Sequence, residues 1–171
     1  MKPVAKIIAA LFVALSIGGV TAYLAGGLPI LLIFLMAFAD RILKTSSFGI
    51  DLIGLAVIIT GMIYGALPAF LFGTFFGPVV KSVQLIYGMP IYERMSFFES
   101  FIFDIIKGLT GIAASLLVQF PPVIVFVAAM MFKNLLYAAA DRILGYPFRI
   151  VYLVNVPVTM LVFLSLQRFF F

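Results

Sequence analysis

The sequence predicts an all-α, polytopic integral membrane protein with six or seven transmembrane helices and a cytoplasmic N-terminus. Hydrophobic residues make up 65% of the 171 residues and charged residues only 10%, whereas soluble domains average about 45–50% and about 25%. The mean hydropathy is +1.31. A soluble fold of this length could not cover so much apolar surface, so the composition predicts residence in the cell membrane.

Apolar runs separated by Gly, Pro or charged residues divide the chain into seven segments, which we treat as one transmembrane domain, 1–171. Two segments are short, and the third and fourth can instead form one long helix kinked at Pro68. The count is therefore six or seven. The segments are Val4–Ala25, Leu28–Leu43, Ile50–Gly65, Leu67–Tyr87, Ser96–Val118, Pro121–Leu144 and Pro147–Arg168.

The first segment follows Lys2 and Lys6, as the core of a signal peptide does, but we expect an uncleaved helix. It is long enough to span a bilayer, and no small-x-small cleavage site follows it. Gly26–Gly27 ends it. Each later segment likewise ends at glycine, proline or charged residues, which are typical of turns and of the membrane interface.

The basic residues support a cytoplasmic N-terminus, because cytoplasmic loops carry the excess of Lys and Arg. The net charge of +5 is explained by these loops, which lie beside anionic lipid headgroups, and no nucleic-acid partner is expected. If all seven segments cross, four basic pairs share one side and only Arg168 breaks the pattern. The pairs are Lys2/Lys6, Arg41/Lys44, Lys81/Arg94 and Arg142/Arg149.

The chain contains no cysteine and no histidine, which removes the commonest metal ligands and the commonest general base. We therefore expect no enzyme activity, metal site or cofactor. Asp51, Glu99 and the Asp-Arg pairs at 40–41 and 141–142 lie near segment ends. We predict that these groups are interfacial anchors within reach of water.

Small residues recur at four-residue spacing on one face of two predicted helices, where they allow close approach of backbones. Two interpretations stay open: packing inside one subunit, and docking onto a partner membrane protein. The first stripe comprises Ala5, Ala9, Ala10, Ala14, Gly18 and Ala22, and the second comprises Gly61, Gly65, Ala69, Gly73 and Gly77.

Five polar residues near the middle of the last three segments are candidates for ligand binding: Asp104, Lys107, Lys133, Asn134 and Asn155. Asp104 and Lys107 are three residues apart and can pair on one helix face. Asp104 balances only one lysine, so a shared cavity would carry surplus positive charge and suit a small anionic solute. The alternative is a buried ion pair with hydrogen-bonded asparagines that fixes helix register.

One short motif occurs twice, because Ala39-Asp40-Arg41-Ile42-Leu43 recurs at 140–144. The recurrence permits a weak internal repeat of three helices, about 1–65 and 102–171, since membrane transporters are often built from repeats. An Asp-Arg pair is also a common way to end a helix at the interface.

Two stretches resemble membrane segments of the substrate-binding S components of energy-coupling-factor transporters. These are ITGMIYGALPAFLFGTFFGPVV at 59–80 and FDIIKGLTGIAASLL at 103–117. The alanines at 5, 9, 10 and 14 are similar to the face with which S components dock on their membrane partner. The resemblance implies a non-enzymatic transport subunit of six helices that captures a micronutrient-type solute.

The stretch LPILLIFLMAFADRILKTSSFGIDL at 28–52 resembles the MreD family of membrane scaffold proteins. That resemblance implies an alternative function, in which the chain assembles partner membrane proteins and binds no solute. In both cases membrane lipid and a partner membrane protein are the expected neighbours.

Overall fold

The computed structural model describes the backbone of residues 3–43, 45–86 and 97–171, and the side chains of 12, 15–40, 43, 45, 48–80, 82 and 98–171. Regular secondary structure in these ranges is entirely helical, which confirms the all-α class. The helices are α1 (Pro3–Leu43), α2 (Leu52–Tyr64), α3 (Ala66–Ile86), α4 (Phe97–Leu116), α5 (Pro122–Ile143) and α6 (Val151–Leu166), with 3₁₀ turns at Thr45–Phe48 and Gln167–Phe169.

Helix α1 is a hairpin of two arms, 3–25 and 28–43. Its backbone leaves the helical conformation at Gly26 and Gly27, and Gly27 has a φ of 66° that only glycine adopts easily. The Phe34 ring lies directly against Gly18. In one continuous helix these two residues would be about 24 Å apart, so the arms must run antiparallel. The predicted break between the first two segments is thus present.

A second reversal occurs at Gly65, whose φ of 89° again favours glycine. Helices α2 and α3 both pack against α4, but their chains run in opposite directions along it. The contacts pair Gly73 with Gly108 and Ala69 with Gly111 on the α3 side, and Val57 with Gly111 and Gly61 with Ala114 on the α2 side. Residue numbers rise together between α2 and α4 but run oppositely between α3 and α4. The chain therefore turns back at Gly65 and does not continue as one kinked helix.

The last three helices also alternate in direction. Near the start of α4, Phe103 accepts a hydrogen bond of 3.4 Å from the Tyr137 hydroxyl late in α5. Asn134 of α5 donates to Asn155 of α6 at 2.8 Å, and Asp141 accepts from the Tyr152 hydroxyl. Residue numbers run oppositely between α5 and α6, where 134 meets 155 and 141 meets 152. They also run oppositely between α4 and the end of α5, where 103 meets 137 and 99 meets 146, so α4, α5 and α6 run antiparallel to their neighbours.

Helix α2 is the centre of the bundle, with contacts to the five other helices. Every residue from Ile53 to Met62 is buried. Its side chains form an apolar core with the facing sides of α1, α4, α5 and α6, in which the Phe126 and Phe163 rings stack with centroids 4.9 Å apart. At 13 residues α2 is only about 20 Å long, which is shorter than a bilayer core.

The outer surface is apolar, unlike that of a soluble protein: Leu24 is 79% exposed and Ile143 84%. Within the described residues, three helices are long and apolar enough to span a membrane, at Leu15–Asp40, Pro122–Ile143 and Val151–Phe169. The first of these ranges contains the reversal at Gly26–Gly27. The helices Leu52–Tyr64 and Ala66–Val80 are apolar but shorter.

Candidate functional site

The most deeply buried charge among the described residues is the ammonium group of Lys133, halfway along α5. Lys133 has no exposed surface, and its Nζ donates a hydrogen bond to the Asp51 carboxylate. The Met130 sulfur lies 3.6 Å from Nζ, and the Tyr137 ring centroid lies 5.5 Å from it. The ammonium charge is thus stabilised by one carboxylate, a thioether and an aromatic ring inside an otherwise apolar helix bundle.

Asp51 connects Lys133 to the start of α2. One carboxylate oxygen accepts a hydrogen bond of 2.7 Å from the Gly54 amide, which makes Asp51 the N-cap of the helix, and the other oxygen faces Lys133. The Asp51 amide donates to the Thr159 hydroxyl of α6 at 2.9 Å. Asp51 therefore satisfies one orphan amide of α2 and at the same time joins α2 to α5 and α6.

A second carboxylate, Asp40, acts on the same ammonium electrostatically. Asp40 is 8% exposed, ends the second arm of α1, and accepts a hydrogen bond from the Thr45 hydroxyl in the following 3₁₀ turn. Lys133 thus has two acidic neighbours.

The two predicted asparagines form a reciprocal pair between α5 and α6. Asn134 donates to the Asn155 side chain at 2.8 Å and to the Tyr152 carbonyl at 2.7 Å, and Asn155 donates back at 3.3 Å. Asn155 and Thr159 are four residues apart on one face of α6. The amide pair therefore lies beside the Lys133–Asp51 pair, and together we call these four residues the α5–α6 polar cluster: Asp51, Lys133, Asn134 and Asn155.

Asp104 and Lys107 form the local ion pair that their spacing predicted. The Lys107 Nζ lies 2.6 Å from an Asp104 oxygen, and Asp104 is 1% exposed. The structure brings Lys133, Asn134 and Asn155 together in the polar cluster, whereas Asp104 and Lys107 bind each other on α4.

Another set of polar contacts closes the turn between α5 and α6. Asp141 accepts from the Tyr152 hydroxyl and pairs with Arg149 at 3.2 Å. The Tyr146 hydroxyl donates to Glu99 at 3.1 Å, which ties the turn to the start of α4. Partial burial, with this hydrogen bond, raises the pKa of the Tyr146 phenol above its ordinary value.

The prediction of water-accessible anchors is wrong for three aspartates. Asp40 and Asp51 are each 8% exposed and Asp141 is 1% exposed, because each one is packed against a neighbouring helix or turn. The partner of Asp51 is 82 residues away in the sequence. Local spacing carries no signal for such a pair, and Thr159 and Tyr152 were missed for the same reason.

The second small-residue stripe meets α4 of the same chain, where Gly61, Ala69 and Gly73 make backbone-close contacts. Gly65 forms the turn and Gly77 is buried. In the first stripe, Gly18 packs against Phe34 of the second arm and Ala22 is 8% exposed. The side chains of Ala5, Ala9, Ala10 and Ala14 lie outside the described residues.

Among the residues that the structure describes, no three acidic side chains are grouped so as to hold a metal ion. Comparisons with protein-family models, with curated proteins and with solved structures find no match.

Proposed function

We propose that the chain crosses the membrane seven times with its N-terminus in the cytoplasm. The alternating helix directions support this topology, because α3 and α5 end on the same side of the bundle, where the α3–α4 and α5–α6 connections follow. Lys81, Arg94, Arg142 and Arg149 belong to or border these connections. Basic residues are expected on the cytoplasmic side, so this end faces the cytoplasm.

Within this topology, we propose a non-enzymatic transport subunit that binds a small anionic solute between α2, α5 and α6. The observation that carries the proposal is the fully buried ammonium of Lys133 beside two side-chain amides. Ionisable groups at this depth are costly and usually serve ion or substrate binding. Asp104 and Lys107 then act as a structural pair on α4.

The proposed mechanism is an exchange of anions on Lys133. A carboxylate or phosphate group of the solute replaces the Asp51 carboxylate, and the amides of Asn134 and Asn155 donate hydrogen bonds to it. Because Asp51 caps α2, its displacement frees the N-terminus of that helix and the preceding 3₁₀ turn. Solute binding is thereby coupled to a movement at the start of α2, which a partner membrane protein of the S-component type can sense.

A second candidate function, a membrane scaffold that assembles partner proteins, is favoured by the completeness of the hydrogen bonding. In the α5–α6 polar cluster every side chain already has a partner within the chain. Satisfied buried networks can serve only to fix helix register.

Thermal unfolding of the purified protein across a panel of anionic micronutrients separates the two functions. The informative variant is Lys133→Met with Asp51→Asn, since removing both charges of a buried pair is far less disruptive than removing one. Lys107→Met with Asp104→Asn is the matched control, because it removes a second lysine–aspartate pair among the described residues, on α4.

Solute binding predicts that at least one compound stabilises the wild type and the control but not the Lys133/Asp51 variant. If no compound stabilises the wild type while a membrane protein co-purifies in fixed ratio, the scaffold function replaces the transport function. Stabilisation that survives in the Lys133/Asp51 variant would remove this cluster as the binding site.

A further inference from the structure

An open cavity of about 480 Å³ lies at the end of α5, apart from the α5–α6 polar cluster. It exists because α5 presents two small side chains there, and the following turn folds over them. A guanidinium group and two aromatic rings complete its wall. The lining residues are Ala138, Ala139, Arg142, Tyr146 and Phe148.

Arg142 gives this cavity an unbalanced positive charge. Its side chain is exposed, and within the described part of the chain none of the ion pairs includes it. The neighbouring Arg149 is neutralised by Asp141 at 3.2 Å and lies over the Tyr146 ring. Glu99 binds the Tyr146 hydroxyl but does not line the cavity. An anion entering the cavity therefore meets one guanidinium group.

An exposed apolar stripe on α5 leads to this arginine. Met131 is 55% exposed and Leu135 69%, and these two residues share a helix face with Ala139 and Arg142. From Met131 to Arg142 the helix rises about 16 Å, close to half the thickness of a bilayer core of about 30 Å. A lipid chain lying along the stripe would bring its headgroup to Arg142.

We propose that the cavity binds the phosphate group of an anionic phospholipid. The planar guanidinium of Arg142 matches phosphate geometry with two parallel N–H···O bonds. Tyr146 and Phe148 lie where aromatic residues meet headgroups, and the acyl chain follows the stripe of α5. Basic pockets at the cytoplasmic ends of membrane helices are suited to anionic headgroups.

The test measures thermal unfolding of the detergent-purified full chain with added phosphatidylglycerol, phosphatidylcholine or inorganic phosphate. Phosphatidylglycerol is expected to raise Tm more than phosphatidylcholine does. Arg142→Gln should weaken the apparent phosphatidylglycerol affinity about tenfold or more, since it removes a charge-assisted hydrogen-bonding group. Arg168→Gln, which removes another exposed arginine outside the cavity, should leave the affinity unchanged.

A second variant, Ala139→Leu, keeps the charge and fills the cavity, and it should weaken the affinity as well. Equal losses of phosphatidylglycerol affinity in the Arg142 and Arg168 variants would overturn the site, because they would indicate attraction by charge alone. Equal stabilisation by phosphatidylcholine, or by inorganic phosphate at the same concentration, would overturn the assignment of an anionic lipid as the ligand.

Discussion

At the scale of single residues, Lys133 and Asp51 stabilise the bundle only as a pair. Loss of one charge leaves the other buried without its counter-ion, which costs about 3–5 kcal/mol, whereas loss of both is often nearly neutral. We expect Lys133→Met to lower the free energy of unfolding by that amount, and the added Asp51→Asn change to restore most of it. Unfolding in mixed detergent micelles measures both values.

If the single and double variants had the same free energy of unfolding, the two side chains would not interact in the folded protein. Lys107→Met provides the comparison for a pair with a more exposed lysine, since the Lys107 side chain is 16% exposed and the Asp104 side chain 1%. Its loss should be no smaller than that of Lys133→Met, because the carboxylate that remains is buried and would lose this counter-ion.

The two ion pairs also show what sequence spacing can predict. Asp104 and Lys107 are three residues apart on one helix, so helix geometry alone predicted their contact. Asp51 and Lys133 meet through the packing of α2 against α5, which no local pattern specifies. The burial of Asp51 was not predicted for that reason. The burial of Lys133, Asn134 and Asn155 was predicted, because they lie within long apolar runs.

At the scale of helices, close contact of α3 and α4 depends on glycine. A methyl group added at Gly73 would lie 2.6 Å from the backbone nitrogen of Gly108, and backbone cannot move aside as a flexible side chain can. We expect Gly73→Ala to cost about 1–3 kcal/mol of unfolding free energy through overpacking. Chemical unfolding of the purified protein provides the measurement.

Gly19→Ala is the matched control, because the added methyl group would meet the Leu31 side chain at an ordinary 3.5 Å. This change should be neutral or slightly stabilising, as alanine is the better helix former. Equal losses of unfolding free energy in the two variants would contradict a specific role for the close packing of α3 on α4.

The hairpin of α1 is testable by cross-linking, since the chain has no cysteine of its own. With Gly19→Cys and Leu31→Cys the thiols lie side by side in a hairpin, but about 18 Å apart in a continuous helix. A short bifunctional thiol reagent should join them, as detected by mass spectrometry. The pair Gly19→Cys and Leu43→Cys should stay unlinked, and an unlinked 19–31 pair would contradict the hairpin.

The helix breaks were largely predictable, because glycines at 27, 65 and 145 adopt backbone conformations that other residues avoid. A short third segment, Ile50–Gly65, was also predicted, but the start of its helix was not. The helix begins only at Leu52, after the chain has reached Asp51 beside Lys133. That start depends on a capping contact and on tertiary packing.

At the scale of the whole molecule, the order of helix directions permits the proposed three-helix repeat. The two arms of α1 reverse direction as α4 and α5 do, and α2 runs parallel to α4 and α6. Both copies of the Ala-Asp-Arg-Ile-Leu motif lie at the ends of helices, and the aspartate is buried in each. Superposition of 1–65 on 102–171 tests the repeat, and a match limited to one helix would reject it.

Composition predicted the apolar exterior, because 65% hydrophobic residues cannot all be buried in a chain of this size. The arrangement of the interior was not predictable in this way. Which small residues face a neighbouring helix, and which charges meet, depends on how seven helical segments pack, and composition is the same for many such packings.

The proposed topology is the central claim, and impermeant thiol labelling of single cysteines in intact cells tests it most directly. Gln119→Cys and Pro147→Cys are both exposed and lie in the turns on either side of α5. Seven crossings with a cytoplasmic N-terminus predict that residue 119 is labelled from outside and residue 147 is labelled only after the membrane is permeabilised. Labelling of residue 147 in intact cells, whether or not residue 119 is also labelled, would contradict this account.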